Sequence, residues 1–227
     1  MIQVKICGIT SVQQARAIAQ AGATALGYIC VHSSPRYITP ENVAPITAAV
    51  TELAPEVEHV GVFADAPPLE IITVTKIAGL SVIQLHGGET PAICQLLQDA
   101  LTHSDLEKVK LIKAVRVRSP NDLETALSYS TSINGLLLDA YHPKQLGGTG
   151  KTLDWQALRA FSPSCPWFLA GGLTPDNVQT ALSQLCPDGI DLSSGVERSP
   201  GDKDLAKVKR LFEQVKAFEM SAGSCLN

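Results

Sequence analysis

Eight short apolar runs recur along the chain, each followed by a stretch of helical periodicity. No other feature constrains the fold as much. The runs are IQVKI (2–6), ALGYI (25–29), VEHVGVF (57–63), SVIQL (81–85), KLIKAV (110–115), GLLLD (135–139), WFLA (167–170) and GIDL (189–192). Several are nearly continuous in apolar residues, as parallel strands covered on both faces must be. Between them, SVQQARAIAQAGA puts Val12, Ala15, Ile18 and Ala19 on one face, with Thr10 or Ser11 as N-cap and Gly22 as stop. TPENVAPITAAV carries Pro45, which predicts a shortened or bent helix. TPDNVQTALSQL reads as a helix capped by Thr174 with Pro175 in its first position. DKDLAKVKRLFEQVKAFEM aligns Leu205, Val208, Leu211, Phe212 and Val215. With no linker or change of composition, this alternation predicts a single α/β domain over residues 1–227, a (β/α)8 TIM barrel, with 221–227 a frayed tail. An open doubly wound sheet would carry a Gly-rich dinucleotide turn after its first strand, and CGITS is not one.

Composition narrows the partners. At 45% hydrophobic and 18% charged residues, the composition allows a large core and argues against disorder. The net charge of −4, with no basic block, argues against nucleic acid as the main partner. No apolar run approaches the roughly 18 residues of a membrane span, and IQVKI after Met1 lacks the layout of a secretory signal. Cysteines at 7, 30, 94, 165, 186 and 225 show neither C-x-x-C spacing nor a zinc-finger pattern, so no metal is expected. They read as reduced thiols of a cytoplasmic protein.

In a barrel, chemistry gathers where the strands end. Cys7 follows the first strand; it is either a small buried hydrophobe or a base or nucleophile facing a cleft. Lys5 and Arg36 are candidate cations beside it. Asp139 closes an apolar strand, where a carboxylate must face a cleft or find a partner. His86 could shuttle protons or bond its own loop. Gly171 and Gly172 after strand seven, and Ser193, Ser194 and Gly195 after strand eight, are small enough for main-chain N–H groups to approach a phosphate. The alternative is that Gly171–Gly172 only turns the chain. GGTGKT (147–152) lacks the first glycine of a nucleotide P-loop, since Gln145 stands there, and reads as a flexible lid.

Taken in order, KICGIT, SPRY, GVF, QLHG, LLLDAY, GGTGKTLDW, LAGGLTPDNV and DLSSGVERSPGDKD resemble the phosphoribosylanthranilate isomerases of tryptophan biosynthesis across almost the whole chain. The resemblance implies an Amadori rearrangement of a small phosphorylated substrate, with no cofactor. Cys7 matches the general base, whose pKa the site should lower, and Asp139 the general acid. Arg36 matches the contact to the anthranilate carboxylate, and Gly171, Gly172, Ser194 and Gly195 match the phosphate loops. The roles of His86 and Asp191, and the oligomeric state, do not transfer. Other barrel enzymes acting on phosphorylated sugars would want an aspartate or lysine where Cys7 stands. A silent phosphate binder would need neither Cys7 nor Asp139.

Overall fold

The computed structural model describes residues 1–139 and 158–223. Eight parallel strands close into a barrel in sequence order, β1 (Gln3–Cys7), β2 (Ala25–Ile29), β3 (Glu58–Phe63), β4 (Val82–Leu85), β5 (Lys110–Arg116), β6 (Gly135–Asp139), β7 (Trp167–Ala170) and β8 (Gly189–Leu192), with β8 pairing back onto β1. All eight expected strands are present. The ends shift by a residue at several, and the shift matters at β1, which takes in Cys7.

Seven helices among the described residues pack outside: α1 (Val12–Ala21), α2 (Pro40–Leu53), α3 (Pro68–Ala78), α4 (Pro91–Thr102), α5 (Pro120–Leu127), α6 (Val178–Leu185) and α7 (Leu205–Gly223). The helix-facing sides of the strands form the larger core, around Ile6, Leu26, Phe63, Leu85 and Leu138. The inward sides form a second cluster of Ala25, Val60, Val82, Ile112, Ala114, Leu137, Phe168 and Ala170. The two sets alternate along each strand, as a period of two requires.

Three helix readings need correction. Pro45 does not shorten α2, which runs through it from Pro40 to Leu53. Thr174 does not cap α6. Asn177 Oδ1 accepts from Thr174 N at 2.8 Å and Thr174 Oγ1 from Asp176 N at 3.2 Å, and these bonds close a separate turn before the helix begins at Val178. Asp202–Lys203 is not helical. It is β10, paired antiparallel with β9 (Glu197–Ser199) in a hairpin between β8 and α7. Asp204 then caps α7, its Oδ1 accepting from Ala206 N and Lys207 N. The last helix extends to Gly223, into the segment expected to fray. The expected lid at 147–152 lies outside the described residues.

Candidate active site

The mouth of the barrel holds a cavity of about 380 Å³ lined by Cys7, Arg36, His86, Asp139, Gly171, Gly172, Asp191, Ser194 and Gly195, among others. Cys7, Arg36, His86, Asp139 and the small residues of the last two loops, all singled out from the sequence, therefore reach one place, with Lys5 behind Cys7. Strand parity explains the arrangement: Lys5 and Cys7 are two apart on β1, so both point inward.

Lys5 lies in register with Asp191 of β8, and its Nζ sits 3.0 Å from Asp191 Oδ1. Each is nearly inaccessible, and the pairing holds Lys5 above the usual lysine range despite burial. Cys7 Sγ and Lys5 Nζ both lie over Gly27, where an added Cβ would come within 2.7 Å of the sulfur and 3.1 Å of the nitrogen. The expected lowering of the thiol pKa does not hold. Burial pushes Cys7 above the ordinary thiol value; Lys5 and Lys203 pull it down, and Asp191 pushes it up again. Because Asp191 already neutralises Lys5, the pull of that lysine on the thiol is weakened.

Asp139 ends β6, three strands from β1 around the closed sheet. His86, just past β4, brings Nε2 to 3.6 Å from Asp139 Oδ2. Its Nδ1 is 3.1 Å from Gln84 Nε2. Gln84 points inward from β4, and its Oε1 is buried without a partner among the described residues.

The two small-residue loops sit side by side. Gly171 and Gly172 have φ of 96° and 66°, and a short 3₁₀ turn spans Ser194–Val196. Among the described residues the main-chain N–H groups of Gly172, Ser194 and Gly195 donate to no main-chain acceptor. Unpaired donors at a cavity wall suit an anion with several oxygens.

Arg36 also reaches the cavity, but part of its guanidinium is engaged. Nε donates to Glu197 Oε1 at 2.9 Å and to Oε2 at 3.1 Å, and Nη2 donates to Oε2 at 2.6 Å. Glu197 also accepts from Lys203 Nζ, at 2.7 Å. Burial opposes the charge of Glu197, yet its bonds to Arg36 and Lys203 hold its carboxyl below the usual glutamate value. Glu197 and Lys203 fall within the motif DLSSGVERSPGDKD but have no role assigned from sequence, and neither does Gln84. For Gln84 a signal existed: a polar residue inside the apolar run SVIQL, at the parity of inward Val82. For Glu197 and Lys203 there was none, since nothing in VERSPGDKD says the hairpin folds back over the first strand.

A family model for N-(5'-phosphoribosyl)anthranilate (PRA) isomerase matches residues 4–214. The chain is 59% identical over 214 residues to the N-(5'-phosphoribosyl)anthranilate isomerase of Trichormus variabilis, covering 94% of this chain and 98% of that one. It is 56% identical over 218 residues to that of Nostoc punctiforme, covering 96% and 100%. Among solved structures, phosphoribosyl anthranilate isomerase from Thermotoga maritima superposes with a TM-score of 0.82 at 37% identity, covering 96% of this chain and 100% of that one. A phosphoribosyl anthranilate isomerase in complex with reduced 1-(o-carboxyphenylamino)-1-deoxyribulose 5-phosphate superposes with a TM-score of 0.78 at 35% identity, over 96% and 100%.

Proposed function

The chain belongs to the N-(5'-phosphoribosyl)anthranilate isomerase family, and we propose that Cys7 and Asp139 carry the two proton transfers of its reaction. The enzyme converts N-(5'-phosphoribosyl)anthranilate to 1-(2-carboxyphenylamino)-1-deoxyribulose 5-phosphate, an Amadori rearrangement in tryptophan biosynthesis. The carbon skeleton is unchanged; C1′ is reduced and C2′ oxidised by moving protons.

The reading is carried by one observation: a thiol and a carboxyl group from strands three apart line the same cavity. Asp139 gives its proton to the ring oxygen of the furanose as the C1′–O bond breaks, and the nitrogen lone pair forms the Schiff base. The Cys7 thiolate takes the C2′ proton, whose pair of electrons flows to the iminium nitrogen and leaves an enolamine. Protonation at C1′ and loss of the hydroxyl proton at C2′ give the ketone. His86, facing Asp139, is the group through which that carboxyl can regain its proton.

The phosphate end rests on Gly171, Gly172, Ser194 and Gly195, and the anthranilate carboxylate on Arg36, so the ribose is held from both ends and C2′ is presented to Cys7. We assign the enzyme to the cytoplasm. The cysteines of the described residues are unpaired, and no helix among them is long and apolar enough to cross a membrane.

The test is a pair of substitutions followed by loss of substrate fluorescence. Cys7→Ala and Asp139→Asn should each lower kcat by about 10²–10⁴-fold, while inorganic phosphate still competes for the site. A Cys7→Ala enzyme with the kcat of the wild type would remove the thiol from the mechanism. If Asp139→Asn kept its rate and lost only thermal stability, Asp139 would be structural.

A further inference from the structure

The hairpin β9–β10 lies over the seam between the last and first strands, and it is stitched there by polar contacts. Thr10 Oγ1 donates to Gly201 O at 2.7 Å. Gln14 Nε2 donates to Asp202 Oδ1 at 2.7 Å, and Lys203 N donates to Gln14 Oε1 at 3.0 Å. This places two charged side chains, Glu197 and Lys203, out of water beside the mouth. Lys203 Nζ donates to the main-chain oxygen of Cys7, to Ser193 O at 3.4 Å and to Glu197 Oε1. Gly8, at φ +82°, makes room for the group: a Cβ there would lie 2.7 Å from Arg36 Cδ and 3.5 Å from Lys203 Nζ.

From this geometry we infer that Glu197 is a positioning residue for substrate recognition, fixing which edge of Arg36 meets the anthranilate carboxylate. The inference rests on the assignment of Arg36 made above.

A guanidinium offers five N–H groups on two usable edges. Glu197 takes the edge formed by Nε and Nη2, so the edge formed by Nη1 and the second hydrogen of Nη2 remains. Among the described residues Nη1 makes no hydrogen bond. A second planar carboxylate fits that edge with two parallel bonds. The charges agree. Arg36 and Lys203 share the single side-chain carboxylate of Glu197, so the free edge of Arg36 still favours an anion. Without Glu197 the long Arg36 side chain would have several rotamers to choose from, and ordering it would fall on each binding event. Lys203 ties the same carboxylate to the main chain at Cys7, so the contact to the aromatic acid and the contact to C2′ share one frame.

The experiment compares wild type, Glu197→Gln, Arg36→Met and the double variant, each with KM, kcat and the inhibition constant of inorganic phosphate. Glu197→Gln should raise KM by about tenfold, the size of one charge-assisted hydrogen bond, with a much smaller change in kcat and none in phosphate inhibition. In the Arg36→Met background the same change should add less than about twofold, because the two act as a unit. Glu197→Asp, which keeps the charge one methylene short, should fall between wild type and Glu197→Gln. Additive effects in the double variant overturn the inference, as does a loss of kcat at unchanged KM. Should Glu197→Gln fail to fold, Glu197→Asp carries the same comparison; if both unfold, Glu197 serves the fold and the inference falls. Arg36→Met with an unchanged KM would instead strike the Arg36 assignment itself.

Discussion

Replacing Gly195 by alanine should damage phosphate binding by forcing two loops apart. A Cβ at this position would lie 1.9 Å from Leu173 O, 3.0 Å from Leu173 C and 3.3 Å from Thr174 Cα. All three are main-chain atoms, so no side chain can turn away. Reaching ordinary contact requires the loops after β7 and β8 to separate by about 1.5 Å. Donor–acceptor distances in hydrogen bonds vary over only about 0.5 Å. On the proposed binding mode, a dianion gripped by Gly172 on one loop and by Ser194 and Gly195 on the other therefore loses at least one bond. One charge-assisted bond is worth about 1.5–3 kcal/mol, or roughly 10–100-fold in affinity. KM for substrate and the inhibition constant for phosphate should both rise by that factor, measured by fluorescence decay with phosphate as competitor. Gly172→Ala is the control. Its φ is +66° and nothing lies within 4 Å of the added carbon, so it should lower stability by about 1–2 kcal/mol of left-handed backbone strain and leave the loop spacing alone. A folded Gly195→Ala protein with the phosphate inhibition constant of the wild type would refute the argument, as would equal effects from the two alanines.

Because burial raises the Cys7 thiol, the thiolate is scarcer at neutral pH than in a free thiol. Alkylation of Cys7 by iodoacetamide, followed by mass spectrometry, should be slower at pH 7 than that of a model thiol and climb with pH beyond the range where the model thiol levels off; a plateau below pH 8 would contradict the assignment. His59 predicts an acid weakness of the fold. Its ring is buried between Tyr28 and Thr51, and burial lowers its pKa to about 4. The unfolded chain takes up a proton near pH 6.5 and the folded one does not, so stability is fully present above 6.5 and falls as pH drops toward 4, by up to roughly 3 kcal/mol. Urea unfolding of wild type and His59→Asn between pH 6.5 and 5 should show the slope only in the wild type; parallel slopes would show that His59 is not the group involved.

Much of the fold was legible because burial on both faces leaves a mark in composition. Runs such as GLLLD and WFLA have few other ways to fold, and their ends pointed to Cys7, Asp139 and the glycine loops. What could not be read was tertiary competition. Thr174 looks like an N-cap, but Asn177 Oδ1 turns back to its main-chain N–H and the helix begins at Val178. Asp202 and Lys203 carry no strand signal, because their pairing is a property of the hairpin and of Gln14 beneath it. The electrostatics of the thiol were equally hidden. Lys5 is visible two residues before Cys7, but its neutralisation by Asp191 depends on the register between β8 and β1.

The stitched seam has a consequence for how the protein comes to be made. Cys7 leaves the ribosome among the first residues, whereas its surroundings arrive last: Lys5 waits 186 positions for Asp191, and the Cys7 carbonyl 196 positions for Lys203. Chains are synthesised from the N terminus and contacts this distant in sequence form slowly. Every shorter nascent chain has its thiol outside any completed cavity. Closing the barrel and enclosing the Cys7 thiol are thus one late event.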